Sequence, residues 1–163
     1  MKIIISNLSD GKHDYEFCEM PVFFDLQDCI TDGGIKVNVE LLKYGGQMQA
    51  NVSFSGNFFF DCDRCTKNIK MVISNTFEVI YKYTKRQGET DIKDENLFFI
   101  SPETNHINLK DIVREYILLS IPMRKVPPEK DGVCTECNMK IDEILAREKK
   151  NEINPVWEKL LNK

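Results

Sequence analysis

Apolar and polar positions alternate most cleanly over residues 35–54. Ile35, Val37, Val39 and Leu41 fall on one side and Lys36, Asn38 and Glu40 on the other, the period of a half-buried strand. Tyr44-Gly45-Gly46-Gln47 reads as a hairpin turn. The alternation resumes with Met48, Ala50, Val52 and Phe54 against Gln47, Gln49, Asn51 and Ser53. Gly56 is expected to bend this strand or to carry a bulge. Before this pair, Lys2 to Ile5 reads as a short strand or edge, Asp10-Gly11-Lys12 as a turn, and Pro21 to Leu26 as a second apolar stretch. Asp32-Gly33-Gly34 is a breaker. After Phe58-Phe59-Phe60, two sets follow: Ile69, Met71 and Ile73, then Phe77, Val79 and Tyr81. They predict one long strand, or two broken near Ser74-Asn75. The first half is thus an antiparallel meander with enough strands to curl into an open barrel.

Residues 85–95 are polar and predict a surface loop, and Leu97 to Ile100 with His106-Ile107 predict a last small hairpin around Ser101-Pro102. A helix follows. Asn108 is its expected N-cap, with Asp111 three residues on. Leu109, Ile112, Val113, Tyr116, Ile117 and Leu119 recur at helical spacing, and Leu118 and Ile121 widen the apolar face, so the helix is expected to be mostly buried. Pro122 ends it, and Met123 to Lys130, containing Pro127-Pro128, is an extended connector. Ile141 to Lys150 and Pro155 to Leu161 predict two short amphipathic helices, the second anchored by Trp157.

Composition narrows the class. The chain has 163 residues, 42% hydrophobic and 29% charged, an ordinary soluble make-up with room for one sizeable core. A net charge of −4 argues against coating nucleic acid by bulk electrostatics. The N-terminal apolar run is too short for a signal peptide, and no stretch reaches membrane-span length. The expected location is the cytoplasm, where spaced cysteine pairs bind metal more often than they form disulfides.

Four of the six cysteines form two C-x-x-C pairs, Cys62/Cys65 and Cys134/Cys137, with 68 residues between Cys65 and Cys134. Such pairs supply the four thiolates of a closed structural zinc site, and here one ion would join two remote segments. Four thiolates around a divalent cation leave about two negative charges, which Arg64, Lys67 and Lys130 are placed in sequence to offset. The competing readings are metal-free thiols and a redox pair. A thioredoxin-like pair, however, opens a helix, whereas Cys62 follows an aromatic strand. Cys18 and Cys29 read as core or half-buried thiols, and His13 and His106 as isolated. No catalytic constellation appears, and the acidic groups (Asp25, Asp28 and Asp32; Glu89, Asp91 and Asp94) read as solvated loops. The chain is expected not to be an enzyme and to have no small-molecule substrate. The expected fold is therefore α+β: an antiparallel β meander or open barrel packed on a buried helix, with a C-terminal zinc knuckle and short helices. Residues 1–126 form the β-rich body, and residues 127–163 the cysteine knuckle and helical tail docked on it.

Several stretches together resemble one family, the bacterial and plastid YceD-type large ribosomal RNA subunit accumulation proteins. They are CDRC at Cys62 to Cys65, INLKDIVREYILLSIPM at Ile107 to Met123, DGVCTECN at Asp131 to Asn138, and NPVWEKLLNK near the C-terminus. The chain departs from the family pattern at Lys130, where many relatives carry a further cysteine. It departs again at Thr135, Asn138 and Asn154-Pro155-Val156. The resemblance implies a role in processing or accumulation of large-subunit ribosomal RNA.

Two partner classes follow. A ribosomal RNA precursor would be met by cations such as Arg64, Lys67, Arg114, Arg124 and Lys125, if they share a face, with Phe58, Phe59, Phe60, Tyr81 and Tyr83 as possible stacking platforms. The alternative is an adaptor that binds a large-subunit ribosomal protein or assembly factor and leaves RNA untouched. Scattered solubilising charge and core packing are the plain readings of the same residues.

Overall fold

The computed structural model describes residues 1–27, 29–84 and 96–150. The expected loop at 85–95, the helix at 155–161, and Asp28 lie outside the described residues. The chain divides into two compact units, Met1–Phe58 with Val72–Ile121, and Phe59–Met71 with Pro122–Lys163. No helix among the described residues is long and apolar enough to cross a membrane.

The first unit is mostly strand. Strands β1 (Lys2–Ile4), β2 (Gly11–Glu19), β3 (Ile30–Thr31), β4 (Ile35–Tyr44), β5 (Gln47–Asp61), β6 (Asn68–Tyr83), β7 (Leu97–Ile100) and β8 (His106–Asn108) precede helix α1 (Lys110–Ser120). The main sheet runs β2-β4-β5-β6-β7 and stays open, with β3 paired to β5. The β4–β5 hairpin forms as its pattern predicts: Tyr44 faces Gln47, and Gly45 and Gly46 have φ of 51° and 81°. Two positive φ values in a two-residue loop match the twist of the flanking strands. On β4 and β5, Ile35, Val37, Val39, Leu41, Met48, Ala50, Val52 and Phe54 are all buried. Gly56 is needed for space: a Cβ there would lie 3.0 Å from Phe58 Cε2 and 3.3 Å from Ile35 Cγ1.

The structure corrects the wholly antiparallel meander: the sheet is mixed. β7 pairs parallel with β6, Tyr81 opposite Phe98 and Tyr83 opposite Ile100. The expected hairpin between residues 97–100 and 106–107 does not form, because β8 pairs antiparallel with β1 instead, Ile3 opposite Ile107. β2, not anticipated, pairs along its whole length with β4. Pro21–Phe24 is a 3-10 turn.

α1 is amphipathic and buried on one side. Ile112, Val113 and Ile117 are buried, but Leu118 and Leu119 are exposed, which corrects the expectation of a broadly buried helix. Its cap is shifted by one residue. Leu109 is the N-cap, and Asn108 Oδ1 accepts the Lys110 N–H at 3.1 Å. Ring stacking of Phe77 on Tyr116, 3.8 Å between centroids and 2° from parallel, fixes α1 against β6. Asn75 and Ser120 (3.0 Å) and Tyr116 and Asn96 (2.9 Å) add side-chain hydrogen bonds.

The second unit carries the hairpin β9 (Glu129–Lys130) and β10 (Val133–Cys134), then helix α2 (Ile141–Lys150). Asp131 and Gly132 at φ of 53° and 71° form its two-residue turn. Its buried hydrophobic side chains among the described residues are Cys62, Ile69, Cys134 and Ile144. Two of these four side chains are cysteines.

A candidate four-cysteine metal centre

All four predicted ligands lie in the second unit. Cys62 and Cys65 sit in the loop between the end of β5 at Asp61 and the start of β6 at Asn68. Cys134 ends β10, and the chain then turns through Cys137 before α2 begins.

The two loops are built alike. The N–H of the residue after the second cysteine bonds back to the carbonyl of the first: Thr66 to Cys62 at 2.8 Å, and Asn138 to Cys134 at 2.8 Å. The N–H of each first cysteine reaches the carbonyl five residues on: Cys62 to Lys67 at 2.8 Å, and Cys134 to Met139 at 3.0 Å. This closes each loop with its amides turned toward sulfur. Arg64 N–H donates to Cys62 Sγ at 3.4 Å, and the N–H groups of Cys137 and Glu136 donate to the sulfur of Cys134. The sequence signal for the hairpin that presents the second loop is Asp131-Gly132 between extended residues, a dipeptide that favours a two-residue turn.

The sulfurs of Cys62, Cys65 and Cys134 lie within 4.8 Å of one another, and the thiol of Cys137 contacts those of Cys65 and Cys134. Four sulfurs about 2.3 Å from a tetrahedral ion stand roughly 3.8 Å apart; Cys62, Cys65 and Cys134 form the cluster within 4.8 Å, and Cys137 lies at its edge. The donor set therefore fits a thiophilic ion. The thiols differ in acidity. Burial pushes Cys65 up to about 12, and the thiols of Cys62, Cys137 and Cys134 push the same way against the Lys67 amide. At Cys134 burial also raises the pKa. The amides of Cys137 and Glu136 and the neighbouring thiols outweigh it and hold the group below its ordinary value.

Two further contacts tie the loops together. Arg64 Nη1 lies 3.1 Å from Glu129 Oε2 on β9, and Lys67 Nζ donates to the Glu136 carbonyl at 3.3 Å. Asp63 and Lys125 are joined twice, Asp63 N–H to the Lys125 carbonyl at 2.9 Å and Lys125 N–H to Asp63 Oδ2. Thr135 Oγ1 donates to the Pro128 carbonyl at 2.9 Å.

The cations proposed for RNA are dispersed in environment. Arg64 has a side chain only 10% exposed and is ion-paired. Lys125 is half-buried, its ammonium 5.4 Å from the Phe60 ring centre. Lys67 and Arg124 are exposed in the second unit. Arg114 lies on α1 in the first unit, half-buried, with no hydrogen-bond acceptor at its buried Nε. Among the aromatics, Phe58 and Tyr81 are buried, while Phe59, Phe60 and Tyr83 are half-buried. Cys18 is exposed and Cys29 half-buried, so Cys18 departs from the expected core or half-buried thiol.

A family model described as large ribosomal RNA subunit accumulation protein YceD matches residues 50–162. No curated protein and no solved structure matches the chain.

Proposed function

The chain belongs to the YceD family of large ribosomal RNA subunit accumulation proteins, and from that premise we propose that it is a non-enzymatic, zinc-stabilised factor for the processing or accumulation of large-subunit ribosomal RNA. The observation that carries the metal part is the convergence of thiols from two segments far apart in the chain. Cys62, Cys65, Cys134 and Cys137 would hold the ion, which supplies a structural cross-link when bound. With all four positions taken by protein, no site is left for a catalytic water. That supports a scaffold rather than a hydrolase, working in the cytoplasm without membrane or small-molecule substrate.

The partner is a ribosomal RNA precursor or a large-subunit ribosomal protein. The burial and pairing of Arg64 and the engagement of Lys125 reduce the free cations of the second unit, which favours the protein-adaptor alternative for that part. Co-sedimentation with large-subunit precursors at moderate salt tests the ribosomal role, and its absence would overturn it. An electrophoretic shift of precursor RNA that weakens steeply with salt would establish direct RNA contact. Co-sedimentation without any shift at low salt would establish the adaptor.

A further inference from the structure

We propose that Arg64 is the counter-charge of the cysteine centre, a positioning residue whose buried guanidinium sets the affinity for the ion. The inference rests on the metal reading above. Arg64 carries a permanent charge, and its side chain is 10% exposed. Its Nε and Nη1 are buried without a hydrogen-bonded acceptor, although Nη1 has the Glu129 carboxylate 3.1 Å away as an ion pair. Glu129 is 54% exposed, so water screens the carboxylate far more than it screens the cation. A buried cation with so partial a partner is costly unless further negative charge is supplied. Four thiolates on a divalent ion supply about two such charges. Arg64 is rooted at the centre, between Cys62 and Cys65, with its own N–H on the Cys62 sulfur. The other cations near the pairs are differently placed: Lys67 and Lys130 are exposed, and the Lys67 ammonium reaches a backbone carbonyl. Burial and unmet donors coincide at Arg64.

The test is cobalt(II) titration of the full chain, with zinc and a chromogenic chelator as competitors. Arg64→Met is expected to weaken metal binding at least tenfold while the thiolate-to-cobalt charge-transfer bands of a tetrahedral site persist, showing that all four ligands remain. Arg64→Lys recovers part of the loss. Glu129→Gln, which removes the competing carboxylate, leaves affinity unchanged or tighter. If Arg64 served only as a link to Glu129, Glu129→Gln would weaken binding as much as Arg64→Met, and that result overturns the proposal, as does unchanged affinity in Arg64→Met. Where the methionine variant does not fold, the lysine and glutamine variants decide by the sign of their effects. No metal binding by the unaltered chain overturns the metal reading itself and this inference with it.

Discussion

Thr66 and Asn138 occupy the same place in the two cysteine loops. Each follows the second cysteine of its pair, each has φ of 57°, and each sends its N–H 2.8 Å to the first cysteine's carbonyl. Their fitness for that place differs. Asn enters the left-handed region readily, whereas a β-branched side chain there is strained by about 1–2 kcal/mol. The Thr66 hydroxyl recovers little of this by bonding the adjacent Cys65 carbonyl at 2.7 Å. Thr66→Asn is therefore expected to stabilise by about 1 kcal/mol and Asn138→Val to destabilise by a similar amount, read by denaturant unfolding of the metal-loaded chain.

Removing the ion is expected to unfold the second unit while the sheet of the first keeps its far-ultraviolet signature. Structural zinc sites in small domains contribute on the order of 10–16 kcal/mol of binding free energy. Cys134→Ser is expected to lose the ion and lower the melting temperature. Elemental analysis should give one zinc for each unaltered chain and less than a tenth of that for the variant. Equal metal content and equal melting in the two proteins would refute the centre.

Phe77 is buried on β6 and stacked on Tyr116 of α1, whereas Leu119 on the same helix is 79% exposed. Phe77→Ala should cost about 3–5 kcal/mol, and Leu119→Ala should stay within about 0.5 kcal/mol. Similar losses from both would mean that α1 buries a different face.

Burial pushes the Tyr81 phenol up to about 12, from about 10 in an unfolded chain. Between those values the unfolded state has lost its proton while the folded state keeps it, so stability falls as pH rises through this window. The loss approaches roughly 3 kcal/mol once both states are ionised. Tyr81→Phe is expected to lack this part of the alkaline decline, and tyrosinate absorbance should show one phenol titrating late.

The strands that were legible are those with one face wholly in the core. Ile35 to Leu41 and Met48 to Phe54 announce β4 and β5 because every second side chain is buried. β2 escaped notice because its inward positions, His13, Tyr15, Phe17 and Glu19, are only half-buried at the end of the sheet, so no apolar period marks them. Strand direction was equally hidden. Leu97 to Ile100 looks the same whether it folds back locally or lies parallel to β6, and only tertiary packing decides. In the helix, Leu118 and Leu119 extended the apparent apolar face, but their positions on the turn point away from the buried row of Ile112, Val113 and Ile117. The clustering of Cys62, Cys65 and Cys134 was readable from their paired spacing, which is that of a site for a thiophilic ion. The burial of Arg64 was not, because a charged residue between two ligands looks like a surface group until the fold encloses it.

The pairing of Ile3 with Ile107 has a consequence for how the molecule is made. A ribosome adding about 5–20 residues per second releases β1 several seconds before its partner β8. Through that interval the nascent strand keeps Ile3 and Ile5 without their final burial. Closing so long a loop is slow, which leaves the newborn chain open to misassociation until residue 107 emerges.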